Sequence, residues 1–233
     1  MDLSTATALV TGANRGLGLQ FAQELRSRGA KVYAGARNPS SVRLDGVIPV
    51  AIDTTDPATI TAAAEAAGDV TLLINNAGIS RGVDLLDGDL DDARAEMDTN
   101  YFGTLAVIRA FAPKIEANGG GAILNVLSVL SWVSFPNTGG YCASKSAEWS
   151  MTNALRAQLA GRKISVTGLH VGLMATEMAA GYDTPKADPT AVARMALDGV
   201  ADGAYEVLAD DVSRQVQAGL SGGVAALYPD LAG

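Results

Sequence analysis

Tyr141 and Lys145 stand four residues apart in the run Tyr141-Cys142-Ala143-Ser144-Lys145. The residues that follow, through Met151, Leu155 and Leu159, carry helical spacing, so both side chains fall on one face, one above the other. A free tyrosine titrates near ~10 and a free lysine near ~10.4. An ammonium roughly 4 Å from a phenol favours the phenolate by about 4 kcal/mol at an effective dielectric of ~20. That equals ~3 pH units at ~1.36 kcal/mol each, before the lysine's own desolvation is subtracted. A tyrosine tuned in this way exchanges a proton with an alcohol or carbonyl oxygen near neutral pH. An ordinary amphipathic helix carries the same pair, so the rest of the chain decides what it means.

The elements that would position this pair read off in order. Thr5 to Thr11 is a short apolar strand. It runs into the turn Gly12-Ala13-Asn14-Arg15-Gly16-Leu17-Gly18 and then an amphipathic helix with Leu19, Phe21, Ala22 and Leu25 apolar. Strand, glycine turn and helix in that order make a dinucleotide-binding turn, in which the backbone approaches a pyrophosphate and the helix N-terminus offers N–H groups and positive dipole. A second strand, 31–36, ends at Ala36, where an NAD-binding version of this arrangement carries an acidic residue. Here Arg37 follows, and Arg15 lies in the glycine turn, two cations suited to a 2′-phosphate and hence to NADP(H).

A third strand spans 47–52 and is followed by Asp53, then by Asp56-Pro57, an N-cap with proline at the first helical position, and an alanine-rich helix. The short strand 71–74 leads into Asn75-Asn76-Ala77-Gly78, polar groups at the carboxyl edge of a buried strand, where ligands bind. An irregular stretch, 81–90, precedes one long helix, 91–117. Asn100 falls inside it, unfavourably unless its side chain or a loosened turn has a task. Strand 122–129 carries Ser128 near its carboxyl end, and the loop 130–138 carries Trp132 and Phe135. After the Tyr141 helix come strand 163–169, a mobile loop to Ala187 rich in Gly, Met, Thr and Pro, a helix opened by Asp188-Pro189, strand 205–209 and a final helix, 211–220. Strands alternate with helices throughout. This predicts one domain over 1–233, a doubly wound α/β fold of Rossmann type with a seven-stranded parallel sheet between two helical layers.

Composition excludes several roles. The chain has 233 residues, 17 Lys and Arg against 25 Asp and Glu, and a net charge of −8. An acidic surface disfavours nucleic acid and anionic membranes. With Cys142 as the single cysteine there is no internal disulfide and no His/Cys cluster for a metal. The N-terminal residues lack a basic region followed by an apolar run, and no apolar segment has spanning length, so a cytoplasmic protein is expected. His170, the single histidine, reads as a packed residue at a strand end, and Cys142 as a small packing residue.

Five signals therefore stand in order: Thr11-Gly12-x-x-x-Gly16-x-Gly18, Asn75-Asn76-Ala77-Gly78, Asn100, Ser128 and Tyr141-x-x-x-Lys145. The set resembles the short-chain dehydrogenase/reductase family, in its single-domain, NADP-preferring branch, over essentially the whole chain. The resemblance implies that Tyr141 is the acid/base on the substrate oxygen. It implies that Lys145 lowers the Tyr141 pKa and binds the nicotinamide ribose, that Ser128 orients the substrate oxygen, and that Asn100 holds a water joining Lys145 to solvent. Asn76, Ala77 and Gly78 would line the adenosine side and Asp53 would face the adenine. Gly172, Met174 and Thr176 would lie near the carboxamide. Where the family usually has Pro-Gly, this chain has Val171-Gly172, which leaves the path of that loop open.

The expected activity is hydride transfer between nicotinamide C4 and a carbonyl or secondary alcohol. Trp132, Phe135, Leu173 and Met178, with Ser128, would form a pocket for a small hydrophobic carbonyl or alcohol substrate. Two other readings share the fold: a non-catalytic NADP-sensing scaffold, which the intact Ser128, Tyr141 and Lys145 disfavour, and a 3-oxoacyl-thioester reductase, whose acidic carrier partner the net charge disfavours. A homodimer or homotetramer is expected, pairing through helices 91–117 and 139–160 by way of Leu105, Ile108, Phe111, Trp149, Met151 and Leu155.

Overall fold

Successive side chains of each central strand enter opposite cores. Ala8 and Val10 of β1 (Thr7–Thr11) join Phe21, Leu25 and Leu197, while Leu9 between them joins Phe111, Ile115 and Ile123. β4 (Leu72–Asn75) repeats the split, Leu72 and Ile74 one way and Leu73 the other. Burial on both faces is what a parallel strand covered by helices on each side requires. The structure, a computed structural model, describes residues 1–229.

With β2 (Lys31–Ala36), β3 (Ile48–Ala51), β5 (Gly121–Val126), β6 (Ile164–His170) and β7 (Glu206–Leu208), the sheet has seven strands in the order β3-β2-β1-β4-β5-β6-β7, every pairing parallel. Helices α1 (Gly16–Ser27) and α6 (Pro189–Asp202) pack together over one core. Helices α2 (Pro57–Ala66), α4 (Thr104–Ala117) and α5 (Gly139–Leu159) cover the other. The predicted caps form: Asp56 accepts from the Ala58 amide, and Asp188 from those of Thr190 and Ala191. The chain doubles back between β1 and β4, and ligands of such sheets bind at the carboxyl ends of the strands flanking that reversal.

Three expectations change. The single helix 91–117 is α3 (Leu90–Met97), a widened π turn over Asp98–Gly103, and α4. The turn opens where Asn100, fully buried, gives its amide to groups outside the helix. The fifth strand ends at Val126, and Ser128 begins a tight turn over Val129–Ser131 instead of closing the strand. Ile108, Phe111, Met151 and Leu155 belong to the core beneath α4 and α5, so they do not form a surface for a second copy. Leu105 and Trp149 are half-buried.

Candidate active site

The glycine turn is built for close approach. Gly12 and Gly16 take φ of 66° and 54°, where side chains are strained. A Cβ on Gly18 would lie 2.2 Å from the Gly12 carbonyl oxygen, so only glycine lets α1 start this close to β1. Leu17 is buried in the core and Asn14 is half-buried. Arg15 stands at the N-cap and supplies no side-chain oxygen to the helix. The first amides of α1 are thus left for an anion. The residues present fit the pyrophosphate of a dinucleotide. Arg15 itself pairs with Glu177 from the loop after β6, both largely exposed. Arg37 is exposed just beyond β2, and its charge reaches Asp53. Asp53 accepts from the amide and hydroxyl of Thr55, which together with Arg37 hold its carboxyl below the usual carboxylate range.

Thr11, which sequence reasoning treated only as the start of a motif, clamps the two loops at the chain reversal. Its hydroxyl accepts from the amides of Asn76 and Ala77 at 2.9 and 3.0 Å, and the Asn76 side chain donates back to the Thr11 carbonyl at 2.9 Å. Further along, the Asn100 carboxamide oxygen accepts from the Ile79 amide, while its nitrogen donates to the Ile79 carbonyl and to the Ser144 hydroxyl, each at 2.9 Å. The Asn100 side chain is thus committed to protein partners. Gly78 lies beside both: a Cβ there would be 3.1 Å from the Asn100 oxygen and 3.9 Å from Lys145 Nζ.

Lys145 is buried, and its Nζ donates to the Val126 carbonyl at 2.8 Å and to Glu148 Oε2 at 2.6 Å. The same Nζ lies 5.9 Å from the centroid of the Tyr141 ring. Glu148, 1% exposed, was not singled out from the sequence; the available signal was its spacing of three residues from Lys145 on a helix. It changes the electrostatics expected of the pair. Burial pushes the Tyr141 phenol up, the Lys145 ammonium pulls it down, and the Glu148 carboxylate pushes it up again, so the result lies above the ordinary tyrosine value, not below it. Burial works against the Lys145 ammonium, but Glu148 and Tyr141 outweigh it and hold its pKa raised. Burial likewise raises Glu148 against the opposing lysine.

Ser128 is buried, its hydroxyl accepting from the Leu130 amide at 3.1 Å. Its hydroxyl also acts on the Tyr141 phenol, favouring the ionised form. Beneath it lies His170, fully buried, with Nδ1 3.2 Å from the Ser128 carbonyl and Nε2 3.6 Å from Glu206. A carbonyl only accepts, so Nδ1 carries the proton. Burial holds the imidazole pKa below its ordinary value, despite the carboxylate. Trp132 stacks on this ring at 3.7 Å between centroids, covering His170 with at least one face.

Among the other expected pocket residues, Leu173 is half-buried, while Phe135 and Met178 are each 55% exposed. The neck of the loop after β6 is pinned: Gly172 donates to Asp210 at 2.6 Å, and Met174 bridges to Ala187. Val171, in place of proline, is buried and accepts from the Val129 amide. Thr176 is half-buried next to Gly16. Among the described residues no group of His, Cys, Asp or Glu has metal-ligand geometry, and no helix is long and apolar enough to cross a membrane.

A short-chain dehydrogenase from Burkholderia cenocepacia, solved in complex with NADP, is 40% identical, covers 99% of each chain and superposes with a TM-score of 0.95. One from Burkholderia phymatum, in complex with NAD, is 26% identical over 95% of each chain with a TM-score of 0.84. By sequence, the chain is 32% identical to the 1-deoxy-11-beta-hydroxypentalenate dehydrogenase of Streptomyces avermitilis, over 91% of this chain and 84% of that one. The sequence profile described as short chain dehydrogenase matches residues 6–187. A parallel sheet in this order, a glycine turn at its reversal and a Tyr-x-x-x-Lys helix beside it agree with those matches, and the chain belongs to the short-chain dehydrogenase/reductase family, oxidoreductases acting on alcohols and carbonyls with a nicotinamide cofactor.

Proposed function

We propose that the protein is an NADP(H)-dependent carbonyl reductase or alcohol dehydrogenase in which Tyr141 is the proton donor and acceptor. The observation that carries this reading is the convergence of Ser128, Tyr141 and a buried, protonated Lys145 beyond the carboxyl end of β5. The nicotinamide, when bound, supplies or accepts the hydride. Ser128 orients the substrate oxygen, Tyr141 passes it a proton, and Lys145 holds positive charge beside the phenol and meets the ribose hydroxyls. Support for NADP comes from β2, which ends at Ala36 with Arg37 next, and from the similar Burkholderia cenocepacia protein that binds NADP. Half-buried Leu173 and Trp132 favour an apolar ketone or aldehyde.

The test is a panel of ketones and aldehydes with NADPH or NADH, followed by loss of nicotinamide absorbance. Turnover with NADPH well above that with NADH is expected. Absence of turnover with either cofactor across the panel, with NADPH binding intact, would favour the scaffold reading.

A further inference from the structure

Tyr141, Lys145 and Glu148 follow one another at intervals of four and three residues on α5, so all three lie along one face of the helix. That face is turned to the sheet. The side chains of Lys145 and Glu148 are 6% and 1% exposed, and their charged atoms meet at 2.6 Å. The turn carrying Glu148 is fixed: the Thr152 hydroxyl donates to the Glu148 carbonyl at 2.8 Å and accepts from the Asn125 side chain of β5 at 2.9 Å. A carboxylate in this position is costly without a cation. Its neighbours one and two turns further along, Met151 and Leu155, are apolar and buried, so Glu148 is the charged exception on this stretch of the face and its partner is the Lys145 ammonium.

We propose that Glu148 is a positioning residue of the reaction: a buried counter-ion that fixes the Lys145 ammonium beside Tyr141 and biases the pair toward proton donation, so that carbonyl reduction persists to higher pH. The inference rests on the reading of Tyr141 as the acid. In reduction the Tyr141 O–H bond breaks, its proton passes to the carbonyl oxygen, and solvent returns the next proton. A negative charge beside Tyr141 and Lys145 opposes loss of a proton by either, whichever yields first. The charged and titratable groups that act on the phenol are Lys145, Glu148 and Cys142, all from α5; β5's extension contributes the Ser128 hydroxyl. Glu148 is thus the one carboxylate among them. It leaves the reaction equilibrium unchanged and moves the pH window in which each direction runs: reduction needs the fully protonated pair, oxidation needs a base.

The test is Glu148→Gln, which retains shape and an oxygen for Nζ but removes the charge. The readouts are the alkaline limb of kcat/KM for reduction and the acid limb for oxidation, on one ketone–alcohol pair from the panel. Both limbs should move to lower pH by ~1 unit or more, and Glu148→Asp should restore most of the shift. Should the glutamine variant fail to fold, Glu148→Asp still tests the inference: it keeps the charge and must leave both limbs near the parental pH, and limbs displaced in the aspartate variant overturn it. A folded glutamine variant that changes rates at all pH values but leaves both limbs in place overturns the inference. Tyr141→Phe separates the two readings. If it retains parental turnover, the assignment of the acid falls and this inference with it. If it is inactive while the Glu148 limbs stay fixed, only the role of Glu148 falls.

Discussion

Lys145→Met removes the cation from Glu148 and leaves the carboxylate 1% exposed inside the fold. Two unit charges at 2.6 Å attract by roughly 6 kcal/mol at an effective dielectric of ~20, and desolvation of both offsets a good part of that. Breaking a buried pair from one side costs about 3–5 kcal/mol, whereas replacing both partners by neutral groups is close to neutral. The single variant should therefore lose ~3–5 kcal/mol of unfolding free energy, and Lys145→Met/Glu148→Leu should regain most of it. The loss has a pH signature. Glu148 already titrates above the ordinary glutamate value because of burial, with the lysine opposing; without the lysine it rises further. A carboxyl raised in the folded state gives stability that is complete below its unfolded pKa and is lost as pH rises through the folded one. The deficit should be small in acid and grow upward through neutrality. Urea melts of parent, both single variants and the double variant, at about pH 5 and about pH 8, read this as a double-mutant cycle. A deficit equal at both pH values, or a double variant no more stable than Lys145→Met, would refute the reasoning.

Tyr141→Phe keeps the ring and removes the proton, so turnover should fall by ~10²–10⁴-fold with NADPH binding, followed by fluorescence, little changed. Arg37→Asp should weaken NADPH at least tenfold, since one charge-assisted bond is worth roughly 1.5–3 kcal/mol, and should leave NADH unaffected or improved; unchanged NADPH affinity by titration counts against it. Asn100→Ala removes three hydrogen bonds made by a fully buried side chain and should cost about 2–4 kcal/mol, visible as a lower thermal midpoint.

The parts of the site that are contiguous in the chain were legible in the sequence. Strand, glycine turn and helix are local, and so are the Asp-Pro caps, which formed where expected. Asn100 was legible as an anomaly in a helical run, and the π turn is its resolution; the sequence carried no means of naming Ile79 and Ser144 as its partners, which come from 21 and 44 residues away. Glu148 was not legible as part of the site: an acid three residues after a lysine on a helix has the same spacing on a solvated face. Only the rotation of α5 against β5 turns it inward. The apolar residues of α4 and α5 misled for the related reason: a hydrophobic stripe reads alike whether it faces the sheet or a second copy, and here the sheet takes Ile108, Phe111, Met151 and Leu155. Arg15 could not be traced to Glu177, a partner 162 residues distant.

These long-range bonds form a continuous path across the site. Thr11 ties the end of β1 to the Asn76–Ala77 turn after β4. Asn100 ties the next residues of that turn, at Ile79, to Ser144 on α5. Lys145, adjacent to Ser144, ties α5 to the end of β5 at Val126. Ser128, two residues on, is held from below by His170 at the end of β6. The loops that would meet the dinucleotide and those proposed to carry the proton are therefore joined through buried hydrogen-bonding groups. Such a path holds the reacting side chains in place before any ligand arrives, which is the condition under which fixed dipoles and charges act on a transition state without reorganising. A neutral or apolar replacement along the path should therefore cost more than the single bond it removes, because an orphaned partner stays buried at each step.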